Sequence, residues 1–240
     1  MFQTEWLGRL LVQRLVKWLF AFLVIGCLIA SARYFVSSAM LSSATSKVDV
    51  WSANNLPSEQ QIIRTKQLLN TSLLWVDNAK AYYYLSKVFQ WQAYQLQQSD
   101  AVEKEVASLL RLANKYAVKA VSVQPANPYY QLQVLETKIR LNEFDKQFAE
   151  IFSGLQLVLG QNSKVHWLTT MSMLPAWNKI TSKQKAQVLF SIKWQLDTKS
   201  YYRFDLSKRL ITSLAKNDFC HYMNIVQLNE QSTVKKICAK

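Results

Sequence analysis

A chain of 240 residues holds one ordinary domain plus a targeting or anchoring segment, but not two large domains. Half of its residues are hydrophobic and 18% are charged, which excludes disorder for the bulk, and four Gly and four Pro are too few for the turns of a β-sandwich or barrel. The formal charge of +14 asks for an anionic neighbour: lipid headgroups, nucleic acid or acidic polysaccharide.

In residues 1–14 and just beyond, Glu5, Arg9, Gln13 and Lys17 recur every fourth position, opposite Leu7, Leu11, Leu15 and Trp18. That stripe suits an amphipathic helix lying in the headgroup layer. Residues 15–35 make about 31 Å of helix at ~1.5 Å per residue, enough to cross a bilayer, with Lys17 and Arg33 snorkelling to the two interfaces. Arg9, Arg14 and Lys17 precede the apolar run and only Arg33 and Lys47 closely follow it, so the N terminus is expected in the cytoplasm. Ala30, Ser31 and Ala32 also fit the grammar of a cleaved secretory signal. The seventeen residues ahead of the apolar run are long for such a signal and favour an uncleaved anchor. Residues 36–56, Ser-rich at first and without Pro or Gly between Ser37 and Ser46, read as a short tether.

Residues 57–240 read as an external, all-helical body. Tyr82, Leu85, Phe89, Ala93 and Leu96 form one helical stripe, and Val102, Val106, Leu109, Ala113, Ala117 and Val121 another. Phe144, Phe148, Ile151, Phe152, Leu155, Val158 and Leu159 form the clearest stripe, with Gly160 at the position of a helix-ending residue. Thr181 or Ser182 opens a further helix over Val188, Ile192 and Leu196, and Tyr201 to Lys216 reads as one more. Seven or eight helices are expected after the anchor, and no strand, because no alternating run bounded by turn residues occurs. Leu74 to Gln92 and Val123 to Leu141 align at an offset of 49, with Asn78 on Asn127, each Asn placed to cap the helix after it. Pro125, Asn127 and Pro128 give the P-x-N-P turn common between tetratricopeptide units. The fold class is therefore all-α: a transmembrane helix followed by a tetratricopeptide-like array of helical pairs, with an irregular bundle as the plainer alternative.

Chemistry is sparse. His166 and His221 have no neighbouring ligand motif, no phosphate-binding glycine loop occurs, and Glu103 with Glu105 or Glu143 with Asp145 point apart on helices. No catalytic residue, cofactor or metal is expected, although carboxylates from distant helices could still assemble a glycoside-cleaving pair. Cys27 falls in the apolar run, whereas Cys220 and Cys238 would meet an oxidising compartment and either bridge or remain two thiols. Residues 161–240 carry a net charge of +9, against +2 for residues 47–160. There Lys183, Lys185, Lys193, Arg203, Lys208 and Arg209 interleave with Trp194, Tyr201 and Tyr202, a mix able to hold acidic sugar or anionic lipid by ion pairing and ring stacking, or else an ordinary solvated surface. An external location makes nucleic acid an unexpected partner.

Three patches, NAKAYYYLSKVFQWQA from Asn78, QPANPYYQLQVLETKIRLNEFDKQF from Gln124 and LPAWNKIT from Leu174, together with the layout of basic N terminus, anchor, tether and helical body, resemble the VpsP family. That resemblance implies a bacterial inner-membrane protein with a periplasmic domain, an accessory or scaffold in exopolysaccharide biosynthesis and export, with protein partners from that machinery. It implies no catalytic residue and no cofactor. A generic periplasmic scaffold of a secretion or envelope complex, and an enzyme acting on acidic polysaccharide, are the alternatives.

Overall fold

The computed structural model describes residues 2–99, 103–158, 160, 162–198, 201–226 and 232–239. The described residues form eleven α-helices and one 3-10 turn and no strand, so the chain is all-α. It divides into two compact units, Met1–Ala81 and Tyr82–Lys240.

The first unit is a helical hairpin. Helix α1 runs unbroken over Phe2–Val48, and α2 covers Glu59–Trp75. The apolar segment is bare, with Leu15, Trp18, Phe20, Phe22, Leu23 and Leu28 all more than 60% exposed. The window within Leu15–Val48 reaches a mean hydropathy of 2.2, long and apolar enough to cross a membrane. The facing of the side chains of residues 2–14 lies outside the described residues.

Of the segment 36–56 expected as a tether, residues 36–48 are instead the packed half of α1, and 49–56 lie in the turn to α2. Ser37, Leu41, Ala44, Thr45 and Val48, spaced by three and four, are buried, as are Ile62, Thr65, Leu69 and Ser72 of α2. Small side chains let the two backbones approach closely. Ser37 and Ser72 then clasp each other: each hydroxyl lies 3.0–3.1 Å from the other's carbonyl oxygen, with the two Oγ atoms 2.9 Å apart. Two further hydroxyls bond within their own helix, Thr45 donating to the Ser42 carbonyl and Ser46 to that of Ser43, while the buried Thr65 hydroxyl of α2 has no partner. A serine-rich run lacking Pro and Gly thus stays helical when a second helix covers it. The hairpin turn is held by Asn55 Nδ2 donating to the Val50 carbonyl, and Ser58 with Gln61 forms a reciprocal capping box on α2.

The second unit carries α3 (Ala79–Gln98, whose first turn crosses the division), α4 (Glu103–Val123), α5 (Pro128–Leu141), α6 (Lys146–Val158), α7 (Ser163–Met173), a 3-10 turn (Leu174–Ala176), α8 (Ser182–Asp197), α9 (Arg203–Ile211), α10 (Lys216–Ile225) and α11 (Ser232–Cys238). Neighbours in sequence pack as pairs, α4 on α5, α5 on α6, α7 on α8 and α10 on α11. The related Asn residues do equivalent work, Asn78 accepting from the Lys80 amide at 2.8 Å and Asn127 from the Tyr129 amide at 3.0 Å. Helix α6 starts later than its apolar stripe suggests. Asn142, in the left-handed region at φ 61°, ends α5, and Asp145 caps α6 by accepting from the Phe148 amide at 2.9 Å. Gly160, at φ 51°, follows the end of α6 where a glycine best tolerates a left-handed turn; Val102 and Leu159 lie outside the described residues.

Of the expected helix from Tyr201 to Lys216 only Arg203–Ile211 is helical; Thr212 ends it, the hydroxyls of Thr212 and Ser213 bond to the carbonyls of Arg209 and Leu210, and α10 starts at Lys216. The total after α1 is accordingly ten α-helices among the described residues, more than the seven or eight expected. One core joins Leu132 and Leu135 of α5 to Phe148, Phe152 and Leu155 of α6, and runs on through Trp177, Ile192 and Phe219 to Val234 and Ile237 of α11.

Phe148 and Phe152, 1% and 0% exposed and stacked on each other, should each cost about 3–5 kcal/mol on truncation to alanine. Lys146→Ala, at a side chain 91% exposed, should cost under ~0.5 kcal/mol. Denaturant midpoints of the three variants check the assignment, and equal shifts would show that the face is wrong.

Candidate functional site

Helix α5 is a polar sequence placed in the interior. Gln131, Gln133, Thr137 and Lys138 are all buried on it, and a buried polar group is costly unless bonded. Gln131 Nε2 donates to the Pro125 carbonyl at 2.6 Å, Gln133 Nε2 to Ser86 Oγ of α3 at 3.2 Å, and Thr137 Oγ1 lies 3.0 Å from Asn114 Oδ1 of α4. Lys138 Nζ reaches Asp145 at 2.7 Å and Glu143 at 3.8 Å, bracing the turn into α6. Glu136 accepts from Ser172 Oγ of α7 at 3.1 Å, and Arg140 Nη2 donates to Gln97 Oε1 of α3 at 3.2 Å.

This ionic centre was not anticipated from the residue pattern; the spacing of Glu136 and Arg140 by four was its only local signal. Burial pushes the Glu136 carboxyl above the ordinary carboxylate value, against the opposing pull of the Ser172 hydroxyl and the Lys87 and Arg140 charges. Asp145 goes the other way, because the Lys138 ammonium and the Phe148 amide both stabilise its ionised form.

His166 is structural. It is buried, its ring stacks on Trp194 at 4.4 Å, and burial lowers its pKa below the ordinary imidazole value. Nε2 lies 3.1 Å from the Gly160 carbonyl, which can only accept, so the ring proton sits there and Nδ1 is left to accept from Ser191 Oγ at 3.1 Å. His221 is exposed on α10 beside Cys220. Among the described residues no three of His, Cys, Asp and Glu gather as a metal site.

The basic residues of the last eighty positions divide by role. Lys185 is half-buried, 3.6 Å from Asp218 and 5.3 Å from the centre of the Trp177 ring, while Trp177 Nε1 donates to the same carboxylate at 2.8 Å. Lys185 therefore ties α8 to α10. Arg209 pairs with Asp205 at 3.4 Å, and that carboxylate also accepts from Trp167 Nε1 at 3.2 Å, with Trp167 stacked on Tyr202. Lys193 pairs with Asp197 along α8. Lys183 and Lys208 are exposed and make no ion pair among the described residues, and the Arg203 side chain lies outside them. Of the aromatic residues in the anticipated surface, Trp194 and Tyr202 are taken by internal stacking. Tyr201, 90% exposed, remains outside, joined by Phe204 at 67%. Of the six anticipated cations, Lys185 is engaged with Asp218 of α10, and Lys193 and Arg209 with carboxylates of their own helices.

Cys220 and Cys238 are bonded, with Cα atoms 5.7 Å apart, and hold α11 against α10. Lys216 Nζ adds a bond to the Ala239 carbonyl at 3.3 Å. Cys27 is free and exposed on the apolar segment of α1.

No family model, curated protein or solved structure matches this chain.

The two shifted carboxylates give opposite pH dependences. The folded chain holds the Glu136 proton more tightly than the unfolded chain does, so this group's contribution to stability is full below the ordinary carboxylate value and is lost as pH rises through the raised one. Asp145 contributes above the ordinary value and loses that contribution as pH falls through the lowered one. In denaturant titrations from acid to neutral pH, Glu136→Gln should therefore gain on the parent as pH rises, and Asp145→Asn should fall behind it. Parallel pH curves for parent and variants would contradict both assignments.

Proposed function

We propose that this chain is a membrane-anchored scaffold whose helical domain stands on the periplasmic side of a bacterial inner membrane and serves the assembly of exopolysaccharide synthesis and export machinery. The observation that carries this reading is α1, in which a bare apolar segment long enough to cross a bilayer continues without a break into a half packed on α2. A cleaved signal has no need of that continuity. Three cations ahead of the apolar segment against two following it support a cytoplasmic N terminus. The Cys220–Cys238 bond supports an oxidising compartment for the rest.

The link to exopolysaccharide rests on the resemblance to the VpsP family. Its patches correspond to α3, to the capped P-x-N-P turn with α5 and the start of α6, and to the 3-10 turn leading into α8. Protein partners of that machinery would meet the outer faces of the helical pairs. Lys183, Lys208, Tyr201 and Phe204 are the exposed groups that suit an acidic polysaccharide.

A periplasm-dependent phosphatase fused after Lys240 should be active and a cytoplasm-dependent fluorescent reporter dark. The reverse pattern would overturn both topology and compartment. Mass measurement of the membrane-extracted protein should find the segment ahead of Arg33 retained; loss of everything before it would mark a signal. Cross-linking in cells should capture glycosyltransferase or export components, and capture of secretion components alone would favour the generic scaffold. Lys183→Gln with Lys208→Gln should reduce retention on an acidic polysaccharide and leave the denaturant midpoint unchanged, whereas Lys185→Gln, which breaks a tie between helices, should lower the midpoint.

A further inference from the structure

The end of α2 carries exposed apolar groups that the hairpin leaves uncovered. Leu74 is 81% exposed and Trp75 41%, although the opposite face of α2 is fully packed on α1. Single exposed apolar residues need no explanation. These two stand at one particular level of the hairpin.

That level is fixed by two contacts between antiparallel helices. Ser72 lies against Ser37, and one turn nearer the apolar segment Arg33 Nη2 donates to the Trp75 carbonyl at 3.1 Å. Trp75 O belongs to the last turn of α2, whose carbonyls lack partners within the helix, and a cation there also opposes the negative end of the helix dipole. Arg33 is the charge that closes the uncharged run of α1, so its guanidinium marks where the apolar segment ends. Beside it α1 exposes Tyr34 at 65% and Phe35 at 75%. Leu74, Trp75, Tyr34 and Phe35 thus come from two helices to one height, at the boundary of the only described segment able to cross a bilayer. Aromatic rings at that height are what a membrane–water interface selects.

We propose that the C-terminal turn of α2 is seated in the same membrane interface as the end of the α1 span, with Leu74 facing the acyl boundary and Trp75 at headgroup level. The hairpin then holds the membrane through two helices, one crossing it and one standing on it. Arg33, bonded to the Trp75 carbonyl, sets the depth of both. The inference rests on the reading of α1 as a spanning helix, and its test separates the two.

The full-length protein, with its Cys220–Cys238 bond intact, is reconstituted into vesicles of phosphatidylethanolamine and phosphatidylglycerol. A nitroxide is placed at native Cys27, or at Leu74→Cys or Gln60→Cys in a Cys27→Ser background, and its collisions with oxygen, which partitions into lipid, and with a water-soluble nickel chelate are compared. Position 60 is exposed in the first turn of α2, about 21 Å along the helix from position 74. The expected result is oxygen access dominating at Cys27, oxygen still exceeding nickel at position 74 to a lesser degree, and nickel dominating at position 60. Position 74 behaving like position 60 would overturn the proposal while leaving the span intact. Exclusion of both reagents at position 74 would overturn it in favour of protein cover. Nickel access at Cys27 would remove the span and the proposal together.

Discussion

A helix can be buried on several sides only if its polar side chains find partners there, and the second unit is organised around a helix that meets this condition at every buried polar side chain but one, Gln131 bonding through Nε2 while its Oε1 has no partner. Helix α5 sends Gln133 and Arg140 to α3, Thr137 to α4, Lys138 to the turn before α6 and Glu136 to α7. Each bond is worth little net, but leaving one of the buried members, Gln133, Thr137 or Lys138, without a partner costs more than the bond gains. The five contacts therefore specify which neighbours α5 accepts more than they add stability. Apolar packing supplies the stability, through a core that runs from α5 to α11. At Glu136 burial outweighs the Ser172 hydroxyl and the Lys87 and Arg140 charges, and raises the carboxyl above its ordinary value.

The hairpin of the first unit solves a different problem with different residues. A helix long and apolar enough to cross a bilayer, if it ended in a flexible tether, would have its rotation about its own axis unset. Here the helix continues to Val48, and the face defined by Ser37, Leu41, Ala44 and Val48 is fixed by α2. Side-chain size decides this. Ser and Ala are small enough for close backbone approach, and the reciprocal Ser37–Ser72 contact leaves neither hydroxyl unsatisfied.

Helix stripes were legible in the sequence wherever the residues were apolar and periodic, as in α3, α4, α6 and α8, and so were caps with a single dominant residue, such as Asn78 and Asn127; the start of α8 was legible only as Thr181 or Ser182, and Thr181 caps it. Three features were not. Serine enrichment signals a linker in isolation, and only the apposition of α2 turns it into a packing surface. The break between α9 and α10 contains neither Gly nor Pro, and depends on hydroxyls competing for carbonyls, which a Ser or Thr within a helix can also do harmlessly. The buried polar face of α5 has little apolar periodicity, so no pattern separates its inward residues from a solvated surface. The Cys pair was legible as two alternatives, and the pairing itself needed the antiparallel seating of α10 and α11.

The basic character of the C-terminal third survives its internal pairing. Three of its four carboxylates, Asp197, Asp205 and Asp218, are spent on Lys193, Arg209 and Lys185, and the fourth, Glu230, lies outside the described residues. Each such pair removes one charge of either sign, so the net of +9 over residues 161–240 is unchanged by any of them. Pairing only relocates the excess, from side chains drawn into the scaffold to exposed ones such as Lys183, Lys208 and Lys236. At physiological salt the field of such an excess extends about 8 Å into solvent. Within that reach, diffusible counterions or a polyanion must balance it. A polyanion gains by releasing its counterions, a gain that an isolated small anion lacks. For the acidic partner proposed above, that gain favours an extended acidic chain or a charged headgroup layer over a single small anion.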